Sequence, residues 1–223
     1  MNGIRWSKIT PDKNIEKVII VGTGPSLDKF DFNKLHKKGF IIAVNDAHKY
    51  VPFADAWFTL DPWGLGGSQT PDKNFAGQLW AAVPDDFGQS DAKCPTHRIN
   101  PLPNIKFLHR IAFHTGQITV DDYLTWGLAE DKGSINSLNS GYGALNIAYH
   151  LRPRKILLLG IDATSGYFFD PTKRTRSLNF LPWIFESAKP QLDAVNIKVV
   201  NGSHISKITC FEKLSPKTAL INF

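Results

Sequence analysis

The polar residues able to do chemistry sit in short stretches that follow apolar runs. The first is Gly22-Thr-Gly-Pro-Ser26, which comes directly after Val18-Ile-Ile-Val21. A glycine-punctuated turn lets the backbone approach a phosphate, and a helix starting there adds free N–H groups and positive dipole. The full dinucleotide fingerprint is not present, because Leu27 stands where its third glycine belongs. The stretch therefore reads either as a nucleotide-binding turn or as a tight strand-to-helix corner. Asn45-Asp-Ala-His48, Asp61-Pro62 and Gly160-Ile-Asp162 occupy comparable positions after apolar runs. Asn139-Ser-Gly-Tyr-Gly143 offers a helix N-cap, or a second cradle in which Ser140 and nearby amides face a phosphate or a sugar carboxylate. In Asn201-Gly-Ser-His204, His204 reads as a general base, as a phosphate ligand, or as a loop histidine without a role.

These stretches need elements to position them. Lys17–Val21 is a short β-branched run, as in a buried parallel strand. Residues 26–38 read as a helix, with Ser26 as N-cap and Gly39 as terminator. Further strands are expected at Phe40–Val44, Ala54–Leu60, Ile105–Leu108, Lys155–Leu159 and Ile197–Val200. A helix is expected over 141–151, with Ala144, Leu145, Ala148 and Leu151 on one face. Strands alternating with helices imply an α/β fold with a mostly parallel sheet and helices on both faces. Ligands of such sheets bind outside the carboxyl ends of the strands, where the polar stretches fall. Residues 61–103 and 163–190 read as long loops, the second as a lid. Trp183 and Phe185 in that lid are either buried or placed to stack on a sugar or a base.

The chain has 223 residues, 42% hydrophobic and 21% charged, as expected of one globular domain over 1–223. Its net charge of +6 leans toward anionic partners such as nucleotides, nucleic acid or acidic glycans. Cys94 and Cys210 have no metal-type spacing, so a reduced, intracellular protein is the expectation. The N-terminus lacks the apolar core of a signal peptide. No apolar run approaches the roughly 20 residues of a membrane span. The expected location is cytoplasmic, in the host cytoplasm if the chain is phage-encoded.

Taken in order, Gly22-Thr-Gly-Pro-Ser-Leu27, Val44-Asn45, Asn139-Ser-Gly141, Leu159-Gly-Ile-Asp162 and Asn201-Gly-Ser203 resemble the bacterial lipooligosaccharide sialyltransferase family and related phage sialyltransferase-like glycosyltransferases. The similarity runs from about residue 17 to 216 and is patchy, weakest over 61–135. The resemblance implies a Rossmann-like α/β/α sandwich that transfers sialic acid from a CMP-activated donor without an essential bound metal or other cofactor. It implies that Gly22, Thr23, Gly24 and Ser26 lie against the nucleotide, with Thr23 where the family has Asn. Asn45 would contact the nucleotide or donor sugar, and Ser140 and Gly141 would approach the donor phosphate or the sugar. Asp61 stands where the family has Asn, and Tyr167 resembles a family tyrosine that supports the leaving phosphate.

The departures from the family concern catalysis. The family's lid carries a histidine that acts as general base, and no histidine occurs here between His150 and His204. The family's arginine before the Ser-Gly turn is replaced by Ser137, and a second tyrosine near Thr164 is missing. Base duty then falls to Asp61, Asp46, Asp162 or His204, or is lost; Asp61 is favoured because it ends a strand beside the expected donor pocket. Asp162 is expected to bind the donor or to brace the Gly160 turn. Lys173, Arg174 and Arg176 are expected to grip a phosphate or an anionic acceptor, unless they form a solvated loop. The function expected is transfer of a sugar from a nucleotide-activated donor to an acceptor hydroxyl. The acceptor would be a glycan, or a modified base in phage-type DNA flipped out of the duplex. The alternative is a catalytically inactive nucleotide-binding or virion-associated protein on the same scaffold. A homo-oligomer is compatible with either.

Overall fold

The computed structural model describes residues 4, 6–10, 14–62, 71–72, 74–85, 104–111, 118–170, 172 and 178–223. Nine strands form one sheet: β1 (Lys17–Val21), β2 (Phe40–Val44), β3 (Ala56–Thr59), β4 (Gln78–Val83), β5 (Ile105–Arg110), β6 (Ser134–Ile135), β7 (Lys155–Leu159), β8 (Lys198–Asn201) and β9 (Glu212–Lys213). Their spatial order is β6-β5-β4-β3-β2-β1-β7-β8-β9. Every neighbouring pair is parallel. From β1 the chain builds outward through β2 and β3; it later returns to place β7 on the other side of β1. The order therefore reverses between β1 and β7, and the carboxyl ends of these two strands flank the crevice where such sheets take ligands.

Alternation along the strands separates two apolar layers. Val18, Ile20, Ile42, Phe58, Trp80 and Leu108 face α2 (Ser140–Leu151) and α3 (Leu181–Ala194). Ile19, Val21, Ile41 and Ala43 face the second layer, which includes Leu27, Leu35 and the C-terminal helix α4 (Pro216–Asn222). A short helix α1 (Val120–Leu124) packs beside α3, with Tyr123 stacked on Trp183 at 6.1 Å. All twelve residues of α2 are buried, so it is the central helix of its layer. The architecture is the α/β, mostly parallel one that the alternating pattern implied.

Three expectations need correction. The helix expected over 26–38 is two 3-10 turns, Pro25–Leu27 and Phe32–Leu35. Lys29 at φ 55° breaks the chain between them, and Asp31 accepts from the Asn33 amide instead of joining a helix. The loop expected over 61–103 contains β4, whose Ala81-Ala82 pair is a weak β signal although both residues are fully buried. The lid expected over 163–190 ends where α3 begins. Pro182 sits in the first helical turn, where proline is tolerated, and Leu181, Ile184, Phe185, Ala188 and Leu192 form a buried helical stripe despite Pro190. Phe185 is thus a core residue, edge-on to Tyr142 at 5.2 Å, and not a lid aromatic.

Inside α2, Asn146 ties a loop to the core. Its Oδ1 accepts from the Ala129 and Asn136 amides at 2.9 and 3.1 Å, and its Nδ2 donates to the Ala129 carbonyl at 3.2 Å. Asn146→Ala strands these fully buried groups and is expected to cost about 3 kcal/mol in urea unfolding. One turn on, burial pushes the His150 pKa below the ordinary imidazole range. Arg152 pushes the same way, while the Ser134 carbonyl, Asp131 and Glu130 oppose it. The unfolded chain then binds a proton that the folded protein refuses. Stability is full above the unfolded imidazole value of about 6.5 and falls as pH drops through it toward the folded value. His150→Gln is expected to flatten this part of the pH dependence; an unchanged profile would assign it to other groups.

Candidate functional site

The turns after β1 and β7 are packed directly on each other. Gly22 and Gly24 donate their amides to the Leu159 and Gly160 carbonyls at 2.8 and 2.9 Å. A Cβ on Gly22 would meet Gly160 O at 2.6 Å, and one on Gly24 would meet Asp162 Oδ2 at 2.5 Å. Asp162, buried at the end of the second turn, accepts from the Ser26 amide and the Ser26 hydroxyl, both at 2.7 Å. The two glycines are therefore required by turn-on-turn packing, and the Gly22, Gly24 and Ser26 amides are engaged inside the protein. Asp162 thus braces the first turn, where bracing of its own Gly160 turn was the expectation. Thr23 is half-buried, and its carbonyl accepts from the Phe168 amide at 3.1 Å, which clips the 163–170 segment to the turn.

The rim of this crevice holds strained backbone and unsatisfied polar atoms. Asn45 follows β2 with φ 54°, fixed by its carbonyl, which accepts from Trp57 Nε1 at 3.0 Å and lies 2.8 Å from His48 Nδ1. Its side-chain Oδ1 is buried without a hydrogen-bond partner. Ala163, after Asp162, also has φ 54°, which costs a residue with a Cβ about 1 kcal/mol. Strain of this kind clusters at ligand sites. Thr164 Oγ1, Asn201 Oδ1 and Ser203 Oγ are likewise buried and unpartnered. Asp46, one of the base candidates, is instead paired with Lys49 at 2.7 Å.

The N-terminus of α2 closes the crevice from the side. Asn139 caps it, accepting from the Gly141 and Tyr142 amides at 2.8 and 3.3 Å. Ser140 Oγ accepts from the Leu60 amide at 3.2 Å and so joins α2 to the end of β3. A Cβ on Gly141 would lie 3.0 Å from Ile161, the side chain that also confines Gly22, so α2 and both turns meet at Ile161. Asp61 follows β3 with its side chain 61% exposed, and Arg110 Nη1 approaches its carboxylate at 4.0 Å.

Sequence reading missed Arg110. It ends β5, its side chain is only 11% exposed, and its Nε donates to the Ser137 carbonyl at 3.0 Å. Burial lowers its pKa and Asp61 raises it, and a guanidinium stays cationic under both influences. The resemblance put an arginine at the Ser137 position; the structure brings one there from another strand. No sequence signal marked it: β5 runs two residues beyond the strand end expected at Leu108.

The remaining site residues are scattered. Tyr167 is half-buried and stacks on Phe169 at 5.2 Å. His204 is exposed beyond β8, four strands from Asp61, which is roughly 19 Å at ordinary strand spacing. Asp61 and His204 thus flank the crevice from opposite sides and do not converge on one hydroxyl. Lys173, Arg174, Arg176 and Cys94 lie outside the described residues. Among the described residues no group of three or more His, Cys, Asp or Glu side chains could hold a metal ion. No helix among them is long and apolar enough to cross a membrane.

No protein-family model matches the chain, and no curated protein sequence matches it. Solved structures do. The MAf glycosyltransferase from Magnetospirillum magneticum AMB-1 is similar with a TM-score of 0.56 and 14% identity, over 96% of this chain and 35% of its own. This chain therefore spans about a third of that protein. The sialyltransferase CST-II, in complex with trisaccharide acceptor and CMP, is similar with a TM-score of 0.51 and 18% identity, over 90% of this chain and 86% of its own. The fold is that of these glycosyltransferases.

Proposed function

We propose that this chain transfers a sugar from a nucleotide-activated donor to an acceptor hydroxyl, and that the donor lies over the carboxyl ends of β1 and β2, beside the packed turns after β1 and β7. One observation carries this reading: the Asn45 side chain, just after β2 and next to the end of β1, holds a buried oxygen with no partner. A ligand N–H or O–H at that point satisfies it, and the positive φ of Asn45 is maintained by two contacts on its carbonyl. The CMP bound by CST-II fits the same reading.

In this reading the chain's own groups divide the work. Thr23 and Asn45 hold the nucleotide, and Asp162 keeps the first turn in place through Ser26. Arg110, at the mouth of α2, attracts the anionic part of the donor, its phosphate or a sugar carboxylate. The Tyr167 hydroxyl and the α2 N-terminus steady the charge that develops as the nucleotide leaves. Asp61 orients Arg110 and faces the acceptor side. The reaction in the resembling family needs no bound metal, and the same is proposed here.

The acceptor proposed is a glycan. The test is nucleotide release from CMP-, UDP-, GDP- and dTDP-sugars, with and without sialyllactose as acceptor. Acceptor-dependent release from one donor class is expected. If no donor binds or turns over, the inactive binding-protein reading replaces this one. If release depends instead on duplex DNA and fades steeply with salt, the acceptor is a modified base.

A further inference from the structure

Four half-buried aromatic residues form a patch where α1 meets the start of α3: Tyr123, Trp126, Phe180 and Trp183. Tyr123 stacks on Phe180 at 5.3 Å and on Trp183 at 6.1 Å, with planes 21° apart in both pairs. Trp126 lies 6.1 Å from Tyr123. α1 buries no residue fully, and its Val120 and Leu124 are 43% and 40% exposed. A helix this short does not hold by itself, so the stacking on α3 and the Thr119 capping box keep it in place. Partly exposed aromatic and apolar surface gathered in one patch marks a binding surface. The patch is joined to the mouth of α2. Trp126 Nε1 donates to the Asn136 carbonyl at 3.3 Å, and Asn136 Nδ2 donates back to the Trp126 carbonyl at 2.7 Å. The next carbonyl, that of Ser137, accepts from Arg110. The Tyr142 hydroxyl, in the first turn of α2, donates to the Gly127 carbonyl at 2.8 Å. The rings and Arg110 are thus anchored on two consecutive residues of one short segment.

We propose that this aromatic patch seats a neutral sugar unit of the acceptor glycan; this rests on the glycosyltransferase reading above. A sugar ring presents a face of C–H groups, and these lie favourably on the electron-rich face of an aromatic ring. Its hydroxyls need polar partners around that face. Asp121 and Asp122 immediately precede Tyr123 and are exposed, with Asp122 also closing the α1 capping box. Lys207 Nζ lies 3.5 Å from Asn179 Oδ1, next to Phe180. Carboxylates and an ammonium both serve sugar hydroxyls. A nucleic-acid strand needs a basic groove instead, and the two aspartates work against it. The hydroxyl that reacts belongs to a sugar unit extending from the patch toward Arg110 and the mouth of α2. The patch does not touch the reacting atoms, so it sets acceptor affinity and not the rate of the chemical step.

Two measurements test this. The first is saturation-transfer NMR on the full chain with lactose, irradiating the aromatic protons of the protein. Transfer to the lactose ring protons is expected with wild type and is expected to be lost in Trp183→Leu, while CMP affinity is kept. Trp183→Phe keeps a ring against Tyr123 and is expected to keep the transfer. No transfer with wild type, or equal transfer in Trp183→Leu, overturns the proposal. Transfer to an oligothymidylate in place of lactose also overturns it and assigns the patch to nucleic acid. The second measurement uses the donor that wild-type protein turns over with sialyllactose. Trp183→Leu is expected to raise the acceptor KM about tenfold with kcat unchanged, and Trp183→Phe to recover most of that loss. An unchanged KM overturns the proposal and leaves the glycosyltransferase reading intact. A wild-type protein that turns over no donor, yet passes saturation to lactose, overturns that reading while the sugar seat stands.

Discussion

Gly22→Ala is expected to destabilise the protein by about 3 kcal/mol and to abolish nucleotide binding. The new methyl would sit 2.6 Å from the Gly160 carbonyl oxygen and 2.6 Å from Ile161 Cδ1. Neither can yield cheaply. The carbonyl belongs to the turn that ends β7, with Gly160 at φ 65°, and Ile161 is wedged against Gly141 of α2. For a chain of this size the loss corresponds to a fall in Tm of about 9 °C. Gly24→Ala acts through a different group. Its methyl would lie 2.5 Å from Asp162 Oδ2, so the carboxylate that holds the Ser26 amide and hydroxyl must move. Asp162→Asn separates volume from charge, because it keeps the shape and turns a donor toward Ser26; a loss of about 2 kcal/mol is expected. Thermal unfolding of the three variants decides the matter. Wild-type Tm in Gly22→Ala would show that the two turns are not packed as described.

Arg110→Met is expected to lower sugar transfer by about 100-fold or more while changing stability by only about 1 kcal/mol. The two effects separate for a physical reason. Removing the guanidinium takes a donor from the Ser137 carbonyl, yet it also removes a charge held at 11% exposure, and the desolvation it relieves offsets the lost bond. Its partner Asp61 is well exposed and is not left as a buried lone charge. Catalysis has no such compensation if Arg110 meets the anionic part of the donor. Arg110→Lys keeps the charge and loses the planar fork, so an intermediate rate is expected. The comparison to make is kcat/KM beside Tm for both variants. Full transfer by Arg110→Met would remove Arg110 from the site and leave it a structural brace for the segment before α2.

What the sequence made legible follows from how local each signal is. β1, β2 and β7 stand out because each is a continuous apolar run buried on both faces. α2 stands out because Asn139 and its cap precede a helical apolar pattern. β4 did not, since alanine carries little strand preference and its burial comes from partners distant in the chain. The 3-10 turns after β1 looked helical because Ser26 resembles an N-cap, whereas its hydroxyl serves Asp162, 136 residues away. The glycines of the first turn read either as room for a phosphate or as a tight corner. What approaches them is the turn after β7, which no local pattern reveals. Arg110 was hidden for the same reason: its partner, Ser137, lies 27 residues away. Strand ends were legible as candidate sites, while the side chains that converge there are set by sheet order.

The central claim is that a nucleotide occupies the crevice at the end of β2, and calorimetric titration of nucleoside monophosphates, CMP first, into wild-type and Asn45→Gly protein tests it most directly. Glycine keeps the positive φ without strain and removes only the side chain. Losing one hydrogen bond to a buried acceptor corresponds to about a tenfold loss of affinity. The account predicts saturable binding of one nucleotide to wild type, about tenfold weaker binding to Asn45→Gly, and no change in Tm between the unliganded proteins. Absence of binding by every nucleotide, or equal affinity in the two proteins, would contradict it.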